Sequence, residues 1–121
     1  MKNFEELSVW QEACKLAVEV YTVLNKSNDN GLKSQMQRAV VSIASNIAEG
    51  AERQSNKEFI QFLYIAKGSC AELRTQLYIA VKIQQITKND VENLIAKSKH
   101  ISSMLHKLIT YLKNSTRKPT G

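Results

Sequence analysis

Apolar residues recur at intervals of three and four along most of this chain, and polar or turn-forming residues separate the runs. That period is the signature of amphipathic helices. Trp10, Cys14, Ala17, Tyr21 and Leu24 predict a first helix over about 9–24, with Ser8 and Gln11 spaced as a capping box. The run Asn25 to Gly31 favours a turn. Met36, Val40, Ile43 and Ile47 predict a second helix over about 32–53. Ser55 and Glu58 have capping-box spacing before a third helix over about 56–84, whose stripe is Phe59, Leu63, Ala66, Cys70, Leu73, Leu77 and Ala80. Thr87 precedes a fourth over about 88–113, with Val91, Leu94, Ser98, Ile101, Leu105, Leu108 and Leu112 inward. Long helices joined by short connections predict an all-α, antiparallel up-down four-helix bundle over residues 1–113. The polar tail, 114–121, is expected to be disordered.

Two further apolar columns exceed what one core needs. Ile65 and Ile79 form one on the third helix, and Val9, Leu16 and Val23 form one on the first. Surplus apolar columns suggest partner surfaces, so a homo-oligomer is expected.

A single Pro and four Gly in 121 residues agree with long helices. No apolar run is long enough to span a membrane. The N-terminus lacks a basic-then-apolar leader pattern, and the two cysteines, Cys14 and Cys70, sit among apolar neighbours. A cytoplasmic protein with reduced, buried thiols is the expectation. Charge is unevenly placed. Residues 1–92 carry eleven basic and eleven acidic side chains, whereas residues 93–121 carry six basic ones and no acid. The whole net charge of +6 therefore belongs to the last helix and tail.

Polar residues also interrupt the helices. Ser42, Asn46, Glu49 and Arg53 form a column beside the stripe of the second helix, and Ser69 and Glu72 sit on the third among small residues. Glu72 shares a seven-residue column with Ile65 and Ile79. Burying it unpaired would be costly, so Ser42, Asn46, Glu49, Ser69 and Glu72 are expected to form a structural hydrogen-bonded cluster, with Arg38 and Arg53 as candidate partners. Gly68, mid-helix, suggests a close helix approach. A di-metal site would need Glu-x-x-His pairs, but Glu52 and Thr75 follow Glu49 and Glu72 at that spacing. His100 and His106 are six apart and do not share a face. No nucleophile–base arrangement and no glycine-rich phosphate loop is visible. No catalytic residue, metal or cofactor is expected.

The outward side of the third helix carries Lys57, Tyr64, Lys67, Arg74, Tyr78 and Lys82, over about 37 Å at helical rise. Lys99, His106 and Lys107 point outward on the fourth helix, and Lys113, Arg117 and Lys118 extend the charge into the tail. Lysines and arginines neutralise phosphates, and a tyrosine can stack on an unpaired base. Nucleic-acid binding, RNA first, is therefore the expected function, weakly sequence-specific because no base-reading motif is present. A solvated lysine face with tyrosines at a protein contact is the simpler alternative. It would make the protein an interaction scaffold or an accessory subunit of a nucleic-acid-processing enzyme.

Three motifs carry a resemblance. Ser42-Ile43-x-x-Asn46-Ile47-x-Glu49-Gly50, Ser55-x-x-Glu58-Phe59 and Ala66-x-Gly68-Ser69-x-x-Glu72-Leu73 occur in that order after an opening Phe4-Glu5-x-Leu7-x-Val9-Trp10. Over residues 4–112 the chain resembles the four-helix bundle proteins encoded in intervening sequences of bacterial 23S ribosomal RNA genes. The resemblance implies an antiparallel bundle and a cyclic homopentamer. It extends to the accessory variability determinant of diversity-generating retroelements, which implies nucleic acid and a reverse transcriptase as partners.

Overall fold

The computed structural model describes residues 3–115. A single 3-10 turn, Phe4–Glu6, leads into four helices: α1 (Ser8–Leu24), α2 (Asn30–Ala51), α3 (Asn56–Lys82) and α4 (Lys88–Ser115). The part of the tail within the described residues, Asn114 and Ser115, is helical. The rest of it, with Arg117 and Lys118, lies outside them.

The caps explain most boundaries. Ser55 accepts the Glu58 amide at 3.2 Å while its hydroxyl donates to the Glu58 carboxylate at 3.1 Å. Thr87 likewise accepts the Asp90 amide. Asp29 takes the Leu32 amide at 3.0 Å, so α2 begins two residues before the expected start. The box expected at Ser8 does not form. Leu7 holds the cap position, and the Gln11 side-chain amide donates instead to the Glu5 carbonyl at 2.8 Å. That bond holds the 3-10 turn on the helix, where Phe4 meets Trp10 edge-on at 5.3 Å.

Paired contacts give the helix directions. Lys26 bonds Asp90, and Glu19 bonds Lys97, so α1 and α4 run antiparallel. Ser42 meets Ser69 while Gly50 abuts Phe59 and Phe62, so α2 and α3 do too. Arg74 reaches Ser98 and Tyr64 reaches Lys113, reversing α4 against α3. Each helix packs on its two neighbours in the order α1–α2–α3–α4–α1, and the diagonal pairs stay apart. The two loops at one end are joined, because the Gln85 side-chain oxygen accepts both the Ser27 hydroxyl and the Asn28 amide.

Leu16, Val20, Leu24, Met36, Ile43, Ile47, Leu63, Leu73, Leu77, Ile101, Leu105 and Ile109 fill the centre. The stripes of α2 and α3 are as expected. On α4, Ile109 is buried and Leu108 only half-buried. On α1 the expectation is reversed. Val9, Ala13, Leu16 and Val20 face the core, whereas Trp10, Cys14 and Ala17 are half-buried and Tyr21 is exposed. Val9 and Leu16 are thus core residues, with the half-buried Val23 packed against them, and form no spare column. The surplus column on α3 is real: Ile65 and Ile79 are exposed, as is Ile83.

Candidate nucleic-acid interface

The outer seam between α3 and α4 gathers a group of basic residues. Lys67 and Arg74 are seven apart on α3, and Lys57, Tyr64 and Tyr78 follow the adjoining column. On α4, Lys99, His106 and Lys113 recur every seven residues, which places them on one face at about 10 Å intervals. The antiparallel register sets this face beside the α3 column.

Two contacts brace the seam. Arg74 Nη1 donates to the Ser98 hydroxyl at 3.1 Å, and that hydroxyl bonds the Cys70 carbonyl at 3.2 Å. Lys113 Nζ donates to the Tyr64 hydroxyl at 2.9 Å and lies 5.4 Å from the centre of its ring. Arg74 is therefore half-buried and structural as well as cationic, and Tyr64 has an ammonium over its ring. Tyr78 remains half exposed.

Few acids answer these cations. The ion pairs among the described residues are Lys15–Glu12, Lys26–Asp90, Arg53–Glu49 and Lys97–Glu19. Lys57, Lys67, Arg74, Lys82, Lys99 and Lys107 have no carboxylate partner in that set. Lys97 is committed to Glu19 on α1 at 2.5 Å. Beyond Glu92, α4 has no acid at all. Tyr111, one turn from Lys107, is among the most exposed large apolar side chains. Its spacing of four from Lys107 is the signal in the sequence that points to it.

The polar cluster is smaller than expected. Ser42 and Ser69 hydroxyls meet at 2.9 Å between α2 and α3, and Asn46 donates to both the carbonyl and the hydroxyl of Ser42. Glu49 and Glu72 stand outside it. Glu49 pairs with Arg53 on the surface at 2.9 Å. Glu72 is exposed on the rim of a groove of about 440 Å³ lined by Gln35, Arg38, Ala39 and Ser42. The isoleucines that bracket it are themselves exposed, so the column they share is an outer one.

Gly68 does not mark the close helix approach expected there. A methyl group there would meet nothing within 4 Å. The close approach belongs to Gly50, where a Cβ would come within 2.7 Å of Phe62 Cβ and 2.9 Å of the Phe59 ring.

Among the described residues three groups have displaced pKa values. Burial pushes the Cys70 thiol up to about 11, opposed in part by the Arg74 charge and the Ser98 hydroxyl. Burial also raises the half-buried Cys14. The Lys26 ammonium, then Thr87, holds Asp90 below the usual carboxylate range. Among the described residues no three His, Cys, Asp or Glu side chains converge as a metal site would require. No described helix is long and apolar enough to cross a membrane.

Fold and motif together define a small helical-bundle protein with a charged outer seam. The sequence pattern of the 23S rRNA-intervening sequence proteins matches residues 5–107, and the chain belongs to that family. It is similar to a protein of unknown function from the S23 ribosomal protein family of Bacteroides thetaiotaomicron, whose crystal structure superposes with a TM-score of 0.78. The two are 28% identical, and the match covers 84% of this chain and 97% of that one. No curated protein matches the chain.

Proposed function

We propose that this protein is a non-enzymatic, self-assembling bundle of the cytoplasm that binds RNA or other nucleic acid through its α3–α4 seam. The observation that carries this reading is the set of cations without carboxylate partners on two adjacent helices: Lys57, Lys67, Lys82, Lys99 and Lys107. Paired lysines would be a solvated face, whereas unpaired ones on an otherwise acid-poor surface attract a polyanion. Lys113 adds charge to the same seam, and Arg117 and Lys118 add it in the segment beyond. Binding rests on phosphates and is weakly sequence-specific.

Self-assembly is supported by two exposed apolar faces. Ile65 and Ile79 lie on α3 with Ile83 just past its end, and Val18, Tyr21 and Val41 lie on α1 and α2. A ring multiplies the seam, so that avidity rises without new contacts. Five subunits is the number that the family resemblance implies. The same faces favour the second reading, a scaffold for a protein such as a reverse transcriptase, if they remain uncovered in the free assembly.

Fluorescence anisotropy with a short labelled RNA at several salt concentrations tests the main reading. Each neutralised phosphate contributes about −0.7 to −0.9 to the log–log slope. No binding at low salt would leave the scaffold reading standing.

A further inference from the structure

We propose that the α3–α4 seam takes the backbone of double-helical nucleic acid in preference to a single strand. This rests on the nucleic-acid reading above and adds the class of ligand.

A protein that holds single strands offers aromatic rings on which successive bases stack. This seam does not. Tyr64 and Tyr78 share a column but stand about 21 Å apart along α3, with Ala71 between them on that column. One ring is already engaged, because Lys113 lies over Tyr64 and bonds its hydroxyl. Tyr78 remains on the seam, and the exposed Tyr111 lies roughly 120–160° around α4 from the Lys99–His106–Lys113 face, so the seam supplies one isolated stacking contact.

The seam offers instead cations held on a stiff support. Arg74–Ser98 and Lys113–Tyr64 tie α3 to α4 at two levels, and Ser98 ties back to the Cys70 carbonyl. Lys67 lies on α3 between these levels, and Lys99 and His106 lie on α4. The strip from Arg74 to Lys57 is about 26 Å long, and that from Lys99 to Lys113 about 21 Å. At about 3.4 Å of duplex axis per base step, those lengths match roughly six to eight base pairs.

A double helix presents its phosphates at fixed spacing and at higher linear charge density than one strand. Neither partner then loses much freedom on docking. A flexible strand would have to be ordered along the same array, and ordering costs affinity that one stacked tyrosine must offset.

The full-length protein should be titrated into a labelled RNA duplex and a labelled uridine strand with the same number of phosphates, over one salt series. The duplex is expected to bind about fivefold or more tighter, with a steeper slope, near −0.9 against −0.7 per phosphate. Lys67→Glu with Lys99→Glu should weaken the duplex about tenfold or more, since two attractive contacts become repulsive. Tyr78→Ala should leave it unchanged within about twofold, because a duplex offers no unstacked base to that ring. A uridine strand that binds as tightly as the duplex, or duplex binding that depends on Tyr78, would overturn the proposal and leave nucleic-acid binding intact. Failure of both ligands to bind at low salt would overturn the underlying reading as well. The wild-type comparison decides the matter even if the charge-reversed protein folds poorly.

Discussion

Gly50 and Phe62 touch so closely that a Cβ on the glycine would lie 2.7 Å from the Cβ of Phe62. Helix propensity alone would make Gly50→Ala stabilising by about 1 kcal/mol. Here the backbone of α2 or α3 must move, and overpacking of this kind costs about 1–3 kcal/mol. A net loss of stability is expected. Gly68 gives the opposite result, because nothing stands within reach of an added methyl group. Gly68→Ala should stabilise by about 0.5–1 kcal/mol. Urea unfolding of both variants at one protein concentration checks the pair, and the same sign for both would contradict the packing described.

Ser69 and Glu72, three residues apart on α3, should respond differently to deletion. Ser69→Ala removes the hydroxyl that meets Ser42 and should cost about 0.5–1.5 kcal/mol. Asn46 still donates to Ser42, which limits the loss. Glu72 is exposed and makes no hydrogen bond, so Glu72→Ala should change the stability of the chain by less than about 0.5 kcal/mol. A large loss at Glu72 would show that its groove is covered in the assembled protein.

The left-handed Gln84 offers a gain. Its φ of 62° closes α3, where its amide bonds the Val81 carbonyl and the Gln85 amide bonds the Ala80 carbonyl. This is the helix ending that normally takes glycine. Gln84→Gly should raise stability by about 0.5–1 kcal/mol, read as a higher midpoint in thermal unfolding. A lower midpoint would mean that the side chain contributes more than its backbone strain.

Most of the fold is legible in the sequence, for reasons that particular residues show. The stripes of α2 and α3 each have one apolar column flanked by polar residues, which leaves a single buried face. On α1 two apolar columns compete, and the large Trp10 and Tyr21 outweigh Ala13 and Val20 by eye. The core takes the smaller set because Val9, Ala13, Leu16 and Val20 let α1 lie close to α2 and α4. Leu16→Ala should therefore cost about 2–5 kcal/mol, well above the effect of Cys14→Ala. The site is less legible. Charge and spacing reveal the lysines, but the capture of Tyr64 by Lys113 and of Arg74 by Ser98 depends on which helices are neighbours. Glu72 misleads because isoleucines at seven-residue spacing look like core whether they face inward or toward a partner.

Cys70 should make the protein sensitive to alkali. Burial holds its folded pKa at about 11, above that of a solvated thiol, so the unfolded chain releases this proton first. The contribution is present in full below pH about 9 and is lost as pH rises toward about 11. Lysines and tyrosines titrate in the same window, so the difference between wild type and Cys70→Ala is the informative quantity. The variant should lose stability less steeply there, by up to about 3 kcal/mol at the upper end. Parallel curves for the two proteins would refute the burial of the thiol. At neutral pH Cys70 should also react with a thiol reagent more slowly than Cys14, which is only half-buried.

The last expectation concerns how copies of the chain meet. Val18 lies on α1 and Ile79 on α3, a diagonal pair, so the two apolar faces are distinct patches that flank α2. A contact in which one face meets the other is head-to-tail, the kind that closes into rings. Ile65→Asp with Ile79→Asp should disable one side, and Val18→Asp with Val41→Asp the other. Each doubly substituted protein alone is expected to sediment well below the wild-type mass. Mixed together, the two retain one intact α3 face and one intact α1–α2 face between them. They should form a one-to-one heterodimer and nothing larger, because the remaining faces are both disabled. Sedimentation equilibrium of the separate proteins and of the mixture distinguishes the outcomes. A wild-type monomer would refute self-assembly, and a mixture that stays monomeric would show that the two faces do not meet.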